Sequence, residues 1–279
     1  MLFFPLWEIL TRALISYLEC FVRLLFIGDI VGRAGRRTLA ENLGRLIDRH
    51  LVDLVVANGE NAAAGYGLTG SVLRELFDSG VDVVTSGNHI WDKKEIMPIL
   101  DRESRLLRPA NYPPGLPGRG SGIYETAAGI KVGILNLEGR VFMKNLDCPF
   151  RAAEALLAEL RLSTPIIMVD FHAEATSEKQ ALGYYLDGQV SAVIGTHTHV
   201  QTADERILAG GTGYLTDVGM SGSQDAIIGN QKKNAMDRFL TQLPVKLEVA
   251  KKDPQLSAVL LTINEATGTC EQIERIQQK

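Results

Sequence analysis

Residue types that bind metal ions recur in this 279-residue chain at the ends of hydrophobic runs. They stand at, or just past, the ends of five such runs. The candidate metal ligands are Asp29, Glu60, Asn61, Asn88, His172, His197 and His199. Carboxylate, amide and imidazole ligands without cysteine suit divalent ions of intermediate hardness, such as manganese, iron or zinc. The pattern therefore predicts a metal centre.

The number of candidate ligands indicates how many ions the centre would hold. A catalytic site for a single ion needs about four protein ligands or fewer. Seven candidates are too many for one ion and suit two ions that share a bridging carboxylate. Two-metal sites with ions roughly 3.5–4 Å apart are the usual apparatus for displacement at phosphorus. His89 directly follows Asn88, so the two side chains point in different directions and His89 is free to donate a proton.

Each candidate also has an ordinary structural interpretation when it is taken alone. His197 and His199 could be two residues on one face of a strand, with satisfied hydrogen bonds. Asn61 and Asn88 could be turn residues in the left-handed conformation. Four of the five histidines in the chain nevertheless accompany the acidic candidates, and this coincidence favours a functional site.

The elements that position these residues alternate between strands and helices in the first part of the chain. Apolar runs predict strands at 23–29, 51–58 and 81–87, and helical spacing of leucines predicts helices at 36–50 and 69–79. This order is typical of βαβ units with a parallel sheet. Ligands bind at the carboxyl edge of such sheets, which is where the candidates fall.

The rest of the chain continues this alternation with more interruptions. Residues 111–122 are rich in proline and glycine and are predicted to form a loop. Further strands are predicted at 122–124, 130–137, 164–172, 189–199 and 256–264, with helices at 152–160 and 177–186. We predict one α/β domain with two central β-sheets flanked by helices.

Other segments near the candidates allow different interpretations. Residues 28–35, GDIVGRAG, imitate a glycine-rich dinucleotide loop, but they lack the required spacing and would set Asp29 beside a pyrophosphate. Residues 60–67 are interpreted as a flexible loop with no chemistry beyond Glu60 and Asn61. Arg36 and Arg37, like Asp53 and Asp82, are most simply solvated ends of helices or strands.

Composition and charge exclude several classes of partner. The formal net charge is −4 with no long basic run, so extended DNA or RNA is a poor partner. A small phosphorylated substrate is compatible, because bound metal supplies positive charge locally. The three cysteines, Cys20, Cys148 and Cys270, lie far apart, as reduced thiols of a cytoplasmic protein do. The sequence is compatible with a homo-oligomer but does not specify one.

The first 21 residues are apolar but are interrupted by Glu8, Arg12 and Glu19. They lack the basic start and the cleavage site of a signal peptide, and the uninterrupted apolar length is too short to span a bilayer. An amphipathic helix on the protein or on a membrane surface is one interpretation. We favour another, in which residues 1–21 are an extension or a start-site error preceding a single domain at 22–279.

Together these motifs resemble a known family, the calcineurin-like metallophosphoesterases. More narrowly, they are similar to the bacterial YmdB-like branch, described as 2′,3′-cyclic-nucleotide phosphodiesterases. The superfamily often opens with Asp-x-His and places Asp in its second motif, whereas this chain has Gly-Asp-Ile and Glu60; both departures fit the YmdB-like branch. The motifs that carry the resemblance are GD (28–29), GEN (59–61), GNH (87–89), DFHAE (170–174), GTHTHVQT (195–202) and TDVGMSG (216–222).

The resemblance implies a fold of two central sheets and a site for two metal ions, with iron expected and manganese as a substitute. It implies that the first ion is held by Asp29, Glu60, Asn61 and His199. It implies that the second is held by Glu60, Asn88, His172 and His197, so that Glu60 bridges. His89 would be the catalytic acid in the hydrolysis of small nucleotide phosphodiesters by a metal-activated hydroxide. Two alternatives stay open: a phosphomonoesterase or nuclease with the same dinuclear site, and a metal-binding regulatory protein.

Overall fold

Two β-sheets pack face to face between outer layers of helices in the computed structural model, which describes residues 21–279. Strands and helices are numbered along the chain. The seven strands of the first sheet are β1 (Phe21–Ile27), β2 (Asp29–Ile30), β3 (Leu54–Asn58), β4 (Val83–Thr85), β11 (Met220–Ser223), β12 (Pro254–Asn264) and β13 (Cys270–Gln278). Their order is β2-β11-β12-β1-β3-β4, and β13 pairs with β12. β1, β3 and β4 are parallel, whereas β12 runs antiparallel to β1 and β13.

The second sheet repeats this parallel arrangement. Its six strands are β5 (Ser121–Glu125), β6 (Lys131–Glu138), β7 (Ile167–His172), β8 (Ala192–Thr196), β9 (Arg206–Ile207) and β10 (Gly213–Leu215). Their order is β5-β6-β7-β8-β10-β9, with β6, β7, β8 and β10 parallel. Because the parallel strands are buried on both faces, their sequences are continuous apolar runs.

Helices flank both sheets, and the longer ones in the first two thirds of the chain pack on the outer faces. They are α1 (Gly32–His50), α2 (Gly70–Asp78), α3 (Met97–Leu100) after a 3-10 turn at Lys94–Ile96, α4 (Pro149–Leu160), α5 (Thr176–Tyr185) and α6 (Lys232–Thr241). Leu39 and Leu43 of α1 pack on the first sheet, because residues four apart share one face of a helix. Leu157 and Leu182, from α4 and α5, pack on the second sheet. None of the helices within 21–279 is long and apolar enough to cross a membrane.

The core between the sheets joins the two halves of the chain. Phe26 and Val56 of the first sheet pack in one buried cluster with Met168 and Ile194 of the second. This packing brings the carboxyl ends of the parallel strands of both sheets to one edge of the molecule. The predicted α/β class with two sheets between helices is confirmed.

Several predicted boundaries are wrong. The strand predicted at 51–58 begins only at Leu54, since residues 51–53 form the turn after α1. The strand predicted at 189–199 spans only Ala192–Thr196, because the chain turns sharply at His197. The interpretation of residues 1–21 falls outside the described residues, apart from Phe21, which begins β1.

Candidate metal centre

The structure brings all seven predicted ligands together at the shared carboxyl edge of the two sheets. Three parallel strands of the first sheet and two of the second end there. Asp29 follows β1 by two residues, Glu60 and Asn61 follow β3, and Asn88 follows β4. His172 is the last residue of β7, and His197 and His199 come directly after β8.

Four potential ligand atoms converge on one point beside the second sheet. Nε2 of His172 lies 2.9 Å from Nδ1 of His197, 3.0 Å from Oδ1 of Asn88 and 3.1 Å from Oε1 of Glu60. A single ring nitrogen cannot hydrogen-bond well to three partners at once. The ligand atoms of Glu60, His172 and His197 lie within 4.8 Å of one another, which is a spacing that could hold a metal ion.

Neighbouring groups orient the two imidazoles so that lone pairs face this point. Thr196 donates its hydroxyl proton to Asp170 (2.7 Å), so its oxygen accepts the Nδ1 proton of His172 at 3.0 Å. Oε2 of Glu174 lies 3.1 Å from Nε2 of His197 and favours a proton there. These contacts leave Nε2 of His172 and Nδ1 of His197 as metal-directed nitrogens, the usual effect of outer partners on ligating histidines.

The pKa values of the side chains in this group are strongly shifted by burial and by one another. Burial lowers the pKa of His172, but attraction to and hydrogen bonding with Glu60 outweigh it and raise the pKa to about 9. Burial alone would raise the pKa of Glu60. Attraction to His172 and the hydrogen bond with it outweigh burial and lower the pKa to about 2. Burial and repulsion by His172 lower the pKa of His197 to about 3. In the metal-free protein His172 therefore carries a second ring proton near neutral pH, and its imidazolium supplies the positive charge among these ligand atoms.

A second group of ligand atoms lies on the other side of Glu60. Asp29, Glu60 and His199 also place their ligand atoms within 4.8 Å of one another. Nδ1 of His199 donates to the carbonyl of Ile228 (3.1 Å), which leaves the Nε2 lone pair for the site. Asp29 is fully buried, and its Oδ1 has no hydrogen-bond partner among residues 21–279. Burial raises the pKa of Asp29. An orphaned buried carboxylate oxygen fits a metal ligand.

Asn61 lies in this second group but presents its amide nitrogen. Nδ2 lies 3.0 Å from Oε1 of Glu60 and 3.1 Å from Nε2 of His199. An amide nitrogen offers no lone pair to a metal. Asn61 can therefore ligate only after its amide turns by about 180° to present Oδ1.

The loop that carries His197 and His199 has a strained backbone and is held by a buried carboxylate. His197 and His199 have φ values of 96° and 66°, in the left-handed region that costs of order 1–3 kcal/mol per residue. Asp217 accepts hydrogen bonds from the backbone N–H (3.1 Å) and hydroxyl (2.7 Å) of Thr198 between them. The buried ammonium of Lys179 lies 2.6 Å from the same carboxylate. This buried ion pair fixes the loop.

Gly87 shows how closely the ligands pack. A Cβ at this position would lie 2.4 Å from Nε2 of His172 and 2.4 Å from Oε2 of Glu60. Any side chain here would enter the space between these ligands, so the Gly-Asn-His sequence needs its glycine.

His89 lies beside the ligands without joining either group. Its backbone N–H donates to Oε2 of Glu60 (3.2 Å), and its Nδ1 lies 2.8 Å from Oδ2 of Asp92. Because the carboxylate accepts a hydrogen bond from Nδ1–H, Nε2 is the nitrogen that is left for other partners. The ring also makes an edge contact with Tyr66, with centroids 5.0 Å apart.

A cavity of about 380 Å³ opens over both ligand groups. Its lining includes Glu60, His89 and His199, and none of the described lining residues is lysine or arginine. A larger cavity of about 570 Å³ lies at the amino edge of the second sheet, lined by residues such as Arg161 and Gly188. None of the described residues that line the larger cavity is a histidine, cysteine or acid, so the chemistry lies in the smaller one.

Sequence reasoning missed the residues that support the ligands. Asp170 and Glu174 belong to the DFHAE motif and Asp217 to the TDVGMSG motif without being singled out there, and no motif includes Asp92. Residues 60–67 are predicted from the sequence to be a flexible loop with no chemistry past Asn61. Tyr66 of this segment lines the cavity, and the absence of chemistry past Asn61 stays a prediction.

A two-sheet α/β fold with histidines and carboxylates converging at its carboxyl edge defines the class of protein, a metallophosphoesterase. The chain belongs to the YmdB-like protein family, whose model matches residues 25–276. It is 50% identical over 255 residues to a 2′,3′-cyclic-nucleotide 2′-phosphodiesterase of Bacillus subtilis, covering 91% of this chain and 96% of that protein.

Two solved structures share the fold. A phosphatase from Mycoplasma pneumoniae is 34% identical with a TM-score of 0.87, covering 92% of this chain and 93% of its own. A protein from Thermus thermophilus is 44% identical with a TM-score of 0.86, covering 92% and 98% respectively. The resemblance found in the sequence motifs is confirmed.

Proposed function

We propose that this protein is a metal-dependent phosphodiesterase that hydrolyses 2′,3′-cyclic nucleotides. The observation that carries the proposal is the shared position of Glu60, which belongs to both groups of converging ligand atoms. The 50% identity to a 2′,3′-cyclic-nucleotide 2′-phosphodiesterase supports the choice of substrate. Hydrolysis of that kind breaks the bond from phosphorus to O2′ and leaves a 3′-monophosphate.

The proposed ligand sets follow the two groups. Asp29, Glu60, Asn61 and His199 would hold one ion, with the Asn61 amide turned. Glu60, Asn88, His172 and His197 would hold the other. When bound, such ions supply a water of lowered pKa as nucleophile and screen the charge on phosphoryl oxygens. Iron is the proposed metal, with manganese as a substitute, since both accept this mixture of oxygen and nitrogen ligands.

His89 is proposed as the acid that protonates the leaving oxygen. A ribose alkoxide is a poor leaving group, so the leaving oxygen needs a proton as its bond to phosphorus breaks. Asp92, with Oδ2 at 2.8 Å from Nδ1, holds the ring in this orientation. Nε2 is thereby the nitrogen that donates.

The charge of the cavity favours a diester over a monoester. A diester carries one negative charge on its phosphate, whereas a monoester near neutral pH carries up to two. Glu174 adds a carboxylate to the described lining, which holds no lysine or arginine to balance a second substrate charge. The proposal therefore places diester hydrolysis ahead of monoester hydrolysis.

One experiment tests the metals and the reaction together. We would compare wild type, Glu60→Gln and the control His50→Gln, a histidine outside the cavity lining, by elemental analysis and by turnover. The substrates are adenosine 2′,3′-cyclic phosphate and p-nitrophenyl phosphate. We expect close to two ions per wild-type chain and a preference for the cyclic diester. His50→Gln should match wild type in both measurements, whereas Glu60→Gln should lose both its metal ions and its turnover. Preference for the monoester would instead support a phosphatase, the class of the M. pneumoniae structure. Full metal content without turnover would support a regulator.

The proposal includes a cytoplasmic location. Cys148 and Cys270 are both free, as expected for thiols in a reducing compartment.

A further inference from the structure

The far wall of the active-site cavity differs in character from the metal ligands. Tyr66, Ile228 and Leu247 contribute an apolar surface, and Asn230 contributes an amide. Ile228 is 52% exposed, which leaves an apolar side chain open to the cavity mouth. Neither metal binding nor phosphoryl transfer requires this surface. We infer that it is the subsite for the base of the nucleotide, and that Tyr66 stacks on the base. This inference rests on the proposed function.

Cavity size limits what the subsite can accept. A volume of about 380 Å³ is near the lower end of small-molecule sites, which run roughly from 300 to 1,000 Å³. That space suits one nucleotide better than an oligonucleotide. Because no lysine or arginine is among the described lining residues, the base must be recognised by stacking and hydrogen bonding.

Tyr66 is held in place rather than free to swing. The N–H of Gly65 donates to the carbonyl of Asn61 (3.1 Å), and the N–H of Ala63 donates to that of Gly67 (3.0 Å). The guanidinium of Arg36 also donates to the carbonyl of Ala62 (2.5 Å). The backbone is therefore held on both sides of Tyr66, and the edge contact with His89 orients its ring, so the ring is preorganised for stacking.

The position of Tyr66 also fits cleavage at O2′. O2′ is bonded to C2′, and C2′ is bonded to C1′, which carries the base. An acid at His89 that protonates O2′ therefore has the base only two carbon atoms from the leaving oxygen. The Tyr66 ring centroid lies 5.0 Å from that of His89. A base stacked on Tyr66 would direct O2′, rather than O3′, toward His89.

The test compares substrates with and without a base. Metal-loaded wild type, Tyr66→Ala and Tyr66→Phe are assayed on adenosine 2′,3′-cyclic phosphate and on methyl ribofuranoside 2,3-cyclic phosphate, which lacks a base. Tyr66→Ala should raise KM for the adenosine substrate roughly tenfold or more and leave the base-free substrate unchanged. Tyr66→Phe, which keeps the aromatic ring, should retain the low KM for the adenosine substrate that Tyr66→Ala loses. Tyr184→Ala, on the exposed surface of α5, is the matched control.

Product analysis supplies a second readout. Wild type should release the 3′-monophosphate, whereas Tyr66→Ala should release a mixture of 2′- and 3′-monophosphates. An equal loss on both substrates would overturn the inference, because it would mean that Tyr66 acts only through His89. Unchanged kinetics on the adenosine substrate would also overturn it.

A binding measurement separates this inference from the proposed function. Calorimetric titration with adenosine 3′-monophosphate and with ribose 3-phosphate needs no turnover. Weaker binding of the adenosine ligand alone in Tyr66→Ala supports the subsite, even if wild type hydrolyses no cyclic nucleotide. Equal binding of the adenosine ligand by wild type and Tyr66→Ala would refute the subsite and leave the proposed reaction standing.

Discussion

The buried pair of Lys179 and Asp217 provides a direct test of how the ligand loop is held. Both side chains are at most 1% exposed, and their charged atoms lie 2.6 Å apart. Lys179→Met would leave the Asp217 carboxylate buried without its cation. Breaking a buried pair in this way typically costs about 3–5 kcal/mol. Asp217 keeps three hydrogen bonds, from the N–H and hydroxyl of Thr198 and the N–H of Gly219, so we expect the lower value, about 3 kcal/mol.

A loss of that size should lower the melting temperature of the metal-free protein by about 5–10 °C, measured by circular dichroism. Lys279→Met is the control, because Lys279 and Asp253 form an exposed pair worth at most about 1 kcal/mol. The double variant Lys179→Met/Asp217→Asn should recover most of the loss, since no buried charge remains. A melting temperature of Lys179→Met as high as that of the control variant would refute the reasoning.

Three further predictions concern the metal centre. Glu60→Gln should lose both ions, whereas Asn88→Ala should keep one, as elemental analysis would show; retention of one ion by Glu60→Gln would disprove bridging. His89→Asn should keep both ions but lose roughly 10²–10⁴-fold in kcat on the cyclic nucleotide and far less on a p-nitrophenyl diester, and an equal loss on both would rule out the acid role. Binding of metal must displace the proton that His172, with a pKa of about 9, holds in the metal-free protein. Manganese affinity should therefore rise about tenfold per pH unit from 7 toward 9, and a flat profile by calorimetry would contradict this.

The residues at the site were predictable because each candidate follows an apolar run directly. A buried apolar run forms a strand of the sheet, and the polar residue that follows it therefore lies at the carboxyl edge. Asp29 and His172 illustrate this, since both lie at the end of a fully buried segment. The packing of two sheets was predictable for a similar reason, as continuous apolar strands need cover on both faces.

The supporting residues could not be predicted in the same way. Asp217 follows a short strand of three residues, β10, and its role depends on contacts with Lys179 and Thr198, which are 38 and 19 positions away. The predicted strand at 189–199 was too long because its sequence favours an extended chain, whereas tertiary contacts with Asp217 stabilise the turn. β13 was missed because its sequence is mostly polar, as suits a strand with little burial.

Electrostatics links the fold of the centre to its function. Asp29, Glu60, Glu138 and Asp170 are all at most 1% exposed, and burial raises the pKa of Glu138 and brings that of Asp170 to about 6. Carboxylates in such a place are costly unless cations compensate them. The described lining of the cavity holds no lysine or arginine that could compensate them. Metal ions bound by the two ligand groups would supply this compensation, and the same positive charge would also bind the phosphate of a substrate.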